Sequence, residues 1–258
     1  MFVRRRARGN TRVRTLPRMS IPPPEIPGPA GPPAGYGAMP PRSSVDRIRA
    51  SWQGRAASDY IFSFWTAFGW TLLTCGFYGF YVTYQLMRRS RDHNLRRLEL
   101  LDASTAFAWQ QAEARGLATE LQPNFGRISA ELAVLRQKST EFRDPLVWTL
   151  LSLLGGVVHV IMYIVLDGDL VDHDRAEGAV ESELSTIYAR LGVTVPPPDP
   201  NRMKGKHQYA LRILATIATC GLYFAWWQYD VMTEGNRHFE HNWRWEDGLV
   251  AGVQQLAA

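Results

Sequence analysis

Three stretches of the 258-residue chain contain no Asp, Glu, Lys or Arg: Tyr60–Met87 (28 residues), Pro145–Leu166 (22) and Ile213–Tyr229 (17). A helix needs about 20 residues, at about 1.5 Å each, to cross a hydrocarbon core of about 30 Å. Helices buried in a water-soluble bundle normally keep a polar stripe, and these stretches have none. The pattern predicts an all-α membrane protein with about three transmembrane helices, near 60–87, 145–166 and 208–229. Between them, apolar residues recur at helical spacing. Residues 98–143 read as amphipathic helix broken around Pro123 and Gly126, with Ile128, Leu132 and Leu135 on one face. Residues 177–191 place Val180, Leu184, Ile187 and Leu191 together, ahead of a Gly192 cap and a stiff PPPDP linker. Leu249, Val253 and Leu256 form a last stripe. These are expected to be interfacial or cytoplasmic helices.

The spans are internally repeated. At an offset of 145, residues 71–102 match residues 216–247 without a gap at nine positions, including Thr74/Thr219, Cys75/Cys220, Gly76/Gly221, Tyr78/Tyr223, His93/His238 and Asp102/Asp247. A fainter middle copy begins at Trp148–Leu151 and continues through Gly155, Tyr163 and His173. This divides the chain into a disordered basic, Pro/Gly-rich arm (1–58) and three units, 59–143, 144–200 and 201–258. Gly76, Gly155, Gly156 and Gly221 are read as small residues that let helices pack closely or bend, with Cys75 and Cys220 as small packing residues beside them. Tyr78, Tyr81, Tyr84, Tyr223, Trp226, Trp227 and Tyr229 are read as aromatics at the membrane interface. For 60–87 a second geometry is open, a re-entrant hairpin bent at Gly76 or Gly79 with both flanks on one side, which needs protein cover for its backbone.

Charge adds an orientation. Residues 1–59 carry eleven Arg and three acids. With no apolar run behind the first basic residues, no secretory signal is expected. An arm of this kind favours a cytoplasmic N-terminus in a multi-pass cell-membrane protein. It suits anionic lipid headgroups better than nucleic acid. Two cysteines inside apolar segments exclude a disulfide framework.

Candidate chemistry is sparse. His159 is the one ionisable side chain well inside a span apart from the thiols, and an intramembrane ionisable group is a functional candidate. Acid–histidine pairs recur as DHN at Asp92–Asn94, DHD at Asp172–Asp174 and EHN at Glu240–Asn242, with His238 beside the last. His and carboxylate are ordinary metal ligands. With three spans, however, the middle exit lies on the opposite face from the other two, so these histidines should not meet. No phosphate-loop, dinucleotide, metalloprotease, C-x-x-C or nucleophile-elbow motif is present. The expectation is a non-enzymatic integral membrane protein with no catalytic, cofactor-binding or metal residue, organising lipids or other membrane proteins, or itself as a homo-oligomer. A small transporter or channel subunit is the alternative, and a membrane haem or metal binder a weaker one.

The segments TCGFYGFYVTYQLM and TCGLYFAWWQYDVM, the second trailed by NRHFEHNWRWED, resemble the prokaryotic domain-of-unknown-function 4234 family. The likeness covers about 60–103 and 208–250 and rests on a T-x-G-[IFL]-Y core, aromatics on the following turns, and a trailing H-F with an acidic pair. The first copy departs from it, since Asn94 rather than Phe follows His93. The resemblance implies a small multi-span membrane protein and supplies no activity.

Overall fold

The computed structural model describes residues 43–140, 144–200, 202, 205 and 207–258, and these are all-helical. The arm expected over 1–58 lies outside the described residues up to 42. Its last part is ordered: α1 (Ser44–Gln53) is capped by the Ser43 hydroxyl, which accepts from the Asp46 amide at 3.1 Å, and a single turn, α2 (Arg55–Ser58), follows.

The expected transmembrane helices are corrected by the structure. No described helix is long and apolar enough to cross a membrane. Each uncharged stretch is instead a helical hairpin. In the first, α3 (Phe64–Leu73) ends at Thr74 and α4 (Phe77–Ala114) starts after Gly76. Cys75 (φ 49°) and Gly76 (φ 95°) are both left-handed, a conformation that ends a helix and costs a side-chain-bearing residue about 1–2 kcal/mol. The chain then folds back, so that Arg89 of α4 donates to the Tyr60 carbonyl at 3.2 Å. The third hairpin repeats this with α8 (Tyr209–Ala218), Cys220 (φ 49°), Gly221 (φ 93°) and α9 (Leu222–Ala257). In the second, α6 (Pro145–Leu151) and a 3₁₀ turn (Ser152–Leu154) reach Gly155 (φ 103°), and α7 (Gly156–Arg190) returns. The remaining helix, α5 (Ala118–Thr140), runs through Pro123 and Gly126. The expected break falls earlier, at Gly116 (φ 70°), because Pro123 sits near the helix start and removes only one amide there.

The same reversal decides between close packing and a bend at the small residues. A Cβ on Gly76, Gly155, Gly156 or Gly221 would meet nothing within 4 Å, and both cysteines are exposed free thiols. At Gly76, Gly155 and Gly221 the sequence needs glycine for its φ, not for close helix approach. Of the aromatics, Tyr81 and Trp226 are exposed and Tyr78, Tyr84, Tyr223 and Tyr229 half-buried. Trp227 is fully buried beneath Arg212, so it belongs to the core.

The three returning helices, α4, α7 and α9, run side by side in one register. Val82, Met162 and Trp227 are buried at one level, Leu86, Leu166 and Val231 one turn on, and Leu100, Val180 and Trp245 further down. In each set the members lie at the same distance from His93, His173 or His238. The grooves between them are filled differently: α1 packs on α4 and α9, and α5 on α4 and α7. The third groove receives the extended segment after α7, where Val195 and Pro196 lie against Gly252 and Gly248 of α9.

These roles separate two glycines. Gly76→Ala is expected to lower unfolding free energy by about 1–2 kcal/mol. Gly126→Ala, mid-helix with open space around it, should raise it by about 0.5–1 kcal/mol. Denaturant unfolding of both variants beside the parent chain checks the pair.

Candidate metal centre

His93, His173 and His238 begin equivalent turns of α4, α7 and α9. One turn later, on the same helix faces, stand Arg97, Glu177 and Asn242. The shared register brings all six to one level. All are buried, at 1% exposure or less. One ring nitrogen from each histidine and one oxygen of Glu177 lie within 4.8 Å of one another. The histidines expected on opposite faces therefore converge, because hairpins return every long helix in the same direction whereas three spans would alternate.

Their protonation pattern follows from their partners. His93 Nδ1 donates to Asp59 Oδ1 at 2.9 Å, and His238 Nδ1 to Asp174 Oδ1 at 2.9 Å. A carboxylate can only accept, so the proton of each neutral ring sits on Nδ1 and Nε2 carries a lone pair. Those two Nε2 atoms face each other at 3.2 Å. Glu177 Oε2 lies 3.3 Å from His238 Nε2 and 3.7 Å from His173 Nε2. His173 has no hydrogen-bond partner at either ring nitrogen although both are buried. The cluster thus gathers two imidazole lone pairs, a nitrogen of His173 and a carboxylate oxygen around one point. The group nearest that point is the Asn242 amide nitrogen, 3.0 Å from Glu177 Oε2, 3.1 Å from His238 Nε2 and 3.5 Å from His93 Nε2.

A second layer of charge orients the ligands. Asp59 also accepts from Ser58, Arg96 and the Trp243 indole. Arg97 is bound by Glu177, Glu181 and Glu246, and Arg202 reaches across to Asp174 and Glu181. Burial pushes the His93 imidazole down to about 4 and His173 well below its ordinary value. Burial would raise the Glu177 carboxyl, yet the Arg97 guanidinium holds it well below the usual range. Burial wins at Glu181, raised to about 6 against the pull of Arg97 and Arg202.

His159, the intramembrane candidate, stays apart. It is half-buried near the second hairpin turn, its Nδ1 3.4 Å from the Gly155 carbonyl. A lesser cluster, Asp167, His207 and Glu234, is one imidazole among acids, with His207 Nδ1 2.5 Å from Asp167. Glu177 and Asn242 carry no ligand reading of their own in the sequence, nor does Asp59, although Asn242 and Asp174 close the EHN and DHD triplets. The signal for the first two was available in their spacing, four residues after each recurring histidine. Comparison with protein-family models, curated proteins and solved structures gives no match to this chain.

Two outcomes follow. Arg97→Ala takes from the buried Glu177 its guanidinium, while Glu181 keeps Arg202 and Glu246 keeps Arg96, and should cost about 3–5 kcal/mol in denaturant unfolding. In metal-free protein, His93 takes up its proton at about 4 when folded and at about 6.5 when unfolded. Unfolding free energy should therefore be level above about pH 7 and fall between about 6.5 and 4, because the unfolded chain binds the proton first. Glu181 acts oppositely between about 6 and 4.5. It softens the loss without reversing it, since His173 adds to the histidine side.

Proposed function

We propose that this chain is a metal-binding protein. His93, His173 and His238, through Nε2, and Glu177, through Oε2, hold one divalent first-row cation, zinc foremost. The observation that carries this reading is the pair of lone-pair-bearing Nε2 atoms facing each other at 3.2 Å with a carboxylate oxygen beside them. Such lone pairs repel unless a donor or a cation stands between them, and a divalent cation would satisfy all of them at once. Tetrahedral zinc ligands about 2.0–2.2 Å from the ion lie about 3.3–3.5 Å apart, close to the 3.2 Å and 3.3 Å that separate His238 Nε2 from His93 Nε2 and from Glu177 Oε2, with His173 Nε2 further out at 3.7 Å from Glu177 Oε2. The two carboxylate–histidine pairs fix the tautomers that zinc sites require.

Charge agrees. Asp59, Asp174, Glu177, Glu181 and Glu246 face Arg96, Arg97 and Arg202, and Arg89 is buried within reach of the Asp59 charge, a formal excess of one negative charge when the imidazoles are neutral. That excess favours a cation. Four protein ligands at near-zero exposure make a closed site, the kind that holds structure together rather than opening to substrate. The ion ties three units of one chain at a single level, which suits an organising or scaffold role. The specific rival is the Asn242 amide, which already donates into the centre. In that reading the cluster is a polar network without metal.

The test is a titration of the chelator-treated full chain with Zn²⁺ and Co²⁺. One equivalent should bind, raise the thermal midpoint by several degrees and give Co²⁺ the visible absorption of a tetrahedral N/O site. His93→Gln or His238→Gln should abolish this. Asp59→Asn should weaken affinity about 10–100-fold. Asn242→Ala should still bind. No histidine-dependent uptake of either ion, with Asn242→Ala merely destabilised, would leave the polar network as the answer.

A further inference from the structure

All but three of the large apolar side chains exposed among the described residues lie on the hairpins, the exceptions being Leu95, Trp109 and Val134. Leu73, Phe77, Leu154, Val157 and Leu222, which flank the three turns, are 74–80% exposed. An exposed apolar surface of this extent marks an interaction site. We propose that the three turns enter one leaflet of a lipid bilayer together, anchoring the protein without crossing it.

Three observations favour lipid as the occupant. The first is the backbone. A helix break in hydrocarbon must satisfy its own polar groups, and these do so in duplicate. Gly76 N donates to Thr71 O at 2.7 Å and Gly221 N to Thr216 O at 2.8 Å. The Thr74 hydroxyl donates to Trp70 O at 2.7 Å and accepts from Tyr78 N at 2.9 Å. Thr219 does the same with Ala215 O and Tyr223 N, at 2.8 and 2.9 Å. One hydroxyl thus closes the end of one helix and the start of the next, at a solvent-facing turn where water could have served instead.

The second is depth. Of the outgoing arms, α8 has six uncharged residues beyond Arg212, which pairs with Asp230, and α3 and α6 with its 3₁₀ turn have ten each. At about 1.5–2 Å per residue the two longer arms reach about 15 Å, half of a hydrocarbon core of about 30 Å. On the return helices charge resumes at a similar distance past each turn, at Arg88, Asp167 and Asp230. The third is a groove of about 860 Å³ between the second and third hairpins, lined by Val160, Ile164, Ile213, Ile217 and Phe224, with His159 at its side. Its size and apolar walls fit an acyl chain.

The native thiols make the test direct, since Cys75 and Cys220 sit at two of the turns. The full chain, diluted from mild detergent into neutral phosphatidylcholine vesicles, should float with them. Both thiols should become protected from a water-soluble maleimide, and lipids brominated on their acyl chains should quench tryptophan fluorescence. A Leu73→Glu, Leu154→Glu, Leu222→Glu variant with unchanged helical circular dichroism should remain at the bottom of the gradient. Flotation only when anionic lipid is added, equally in parent and variant, would assign binding to basic residues and overturn the proposal. So would thiols that stay reactive with vesicles present, or thiols protected without lipid in a chain-only oligomer.

Discussion

Five carboxylates and three guanidinium groups meet at one level of a narrow helical bundle. That is tolerable only if each finds its counter-charge, because an unpaired buried charge costs several kcal/mol. This requirement fixes how α4, α7 and α9 sit against one another. A slip of one helix by a turn would take Arg97 away from Glu177 and Glu181 on α7 and from Glu246 on α9. The apolar levels above and below, from Val82, Met162 and Trp227 down to Leu100, Val180 and Trp245, tolerate substitution more easily. They supply burial, while the charged level supplies uniqueness.

Much of this was visible along the chain, and the error had one physical source. Helix periodicity located the cores of α5, α7 and α9 through Ile128, Val180 and Leu249, and the offset of 145 paired His93 with His238. What misled was length. Twenty-eight uncharged residues suffice for a span, but they equally suffice for two arms of a hairpin, and hydropathy does not distinguish them. The Thr-Cys-Gly triplet does: a left-handed pair ends one helix, and the threonine caps the next. Taken as a packing surface or a bend within one span, the triplet leaves the helix crossing. From that step the topology followed wrongly, and with it the separation of three histidines that in fact meet. The re-entrant alternative weighed for residues 60–87 has the geometry that all three segments adopt, with the bend at Cys75–Gly76.

The buried acids and amides were harder to see. Asp59 lies past the end of a four-residue helix, and nothing in its neighbourhood marks it as the partner of His93. Asn242 and Glu177 hold equivalent places one turn past a histidine, yet they differ in chemistry, so a search for identity passes over them. Equivalence of position with divergence of side chain is what the site uses. Three similar helices contribute an arginine, a glutamate and an asparagine to the same level.

The order of assembly follows from how far apart in the chain the contacts are. The third hairpin closes over 18 residues, as between Arg212 and Asp230, whereas His93 and His238 are 145 apart. Loop-closure entropy makes the longer contact dearer by about 2 kcal/mol, and non-local pairing slows folding. The first and third hairpins are therefore the locally encoded units, whereas α6 finds its packing on α4. The histidine level joins pieces that local contacts alone leave separate.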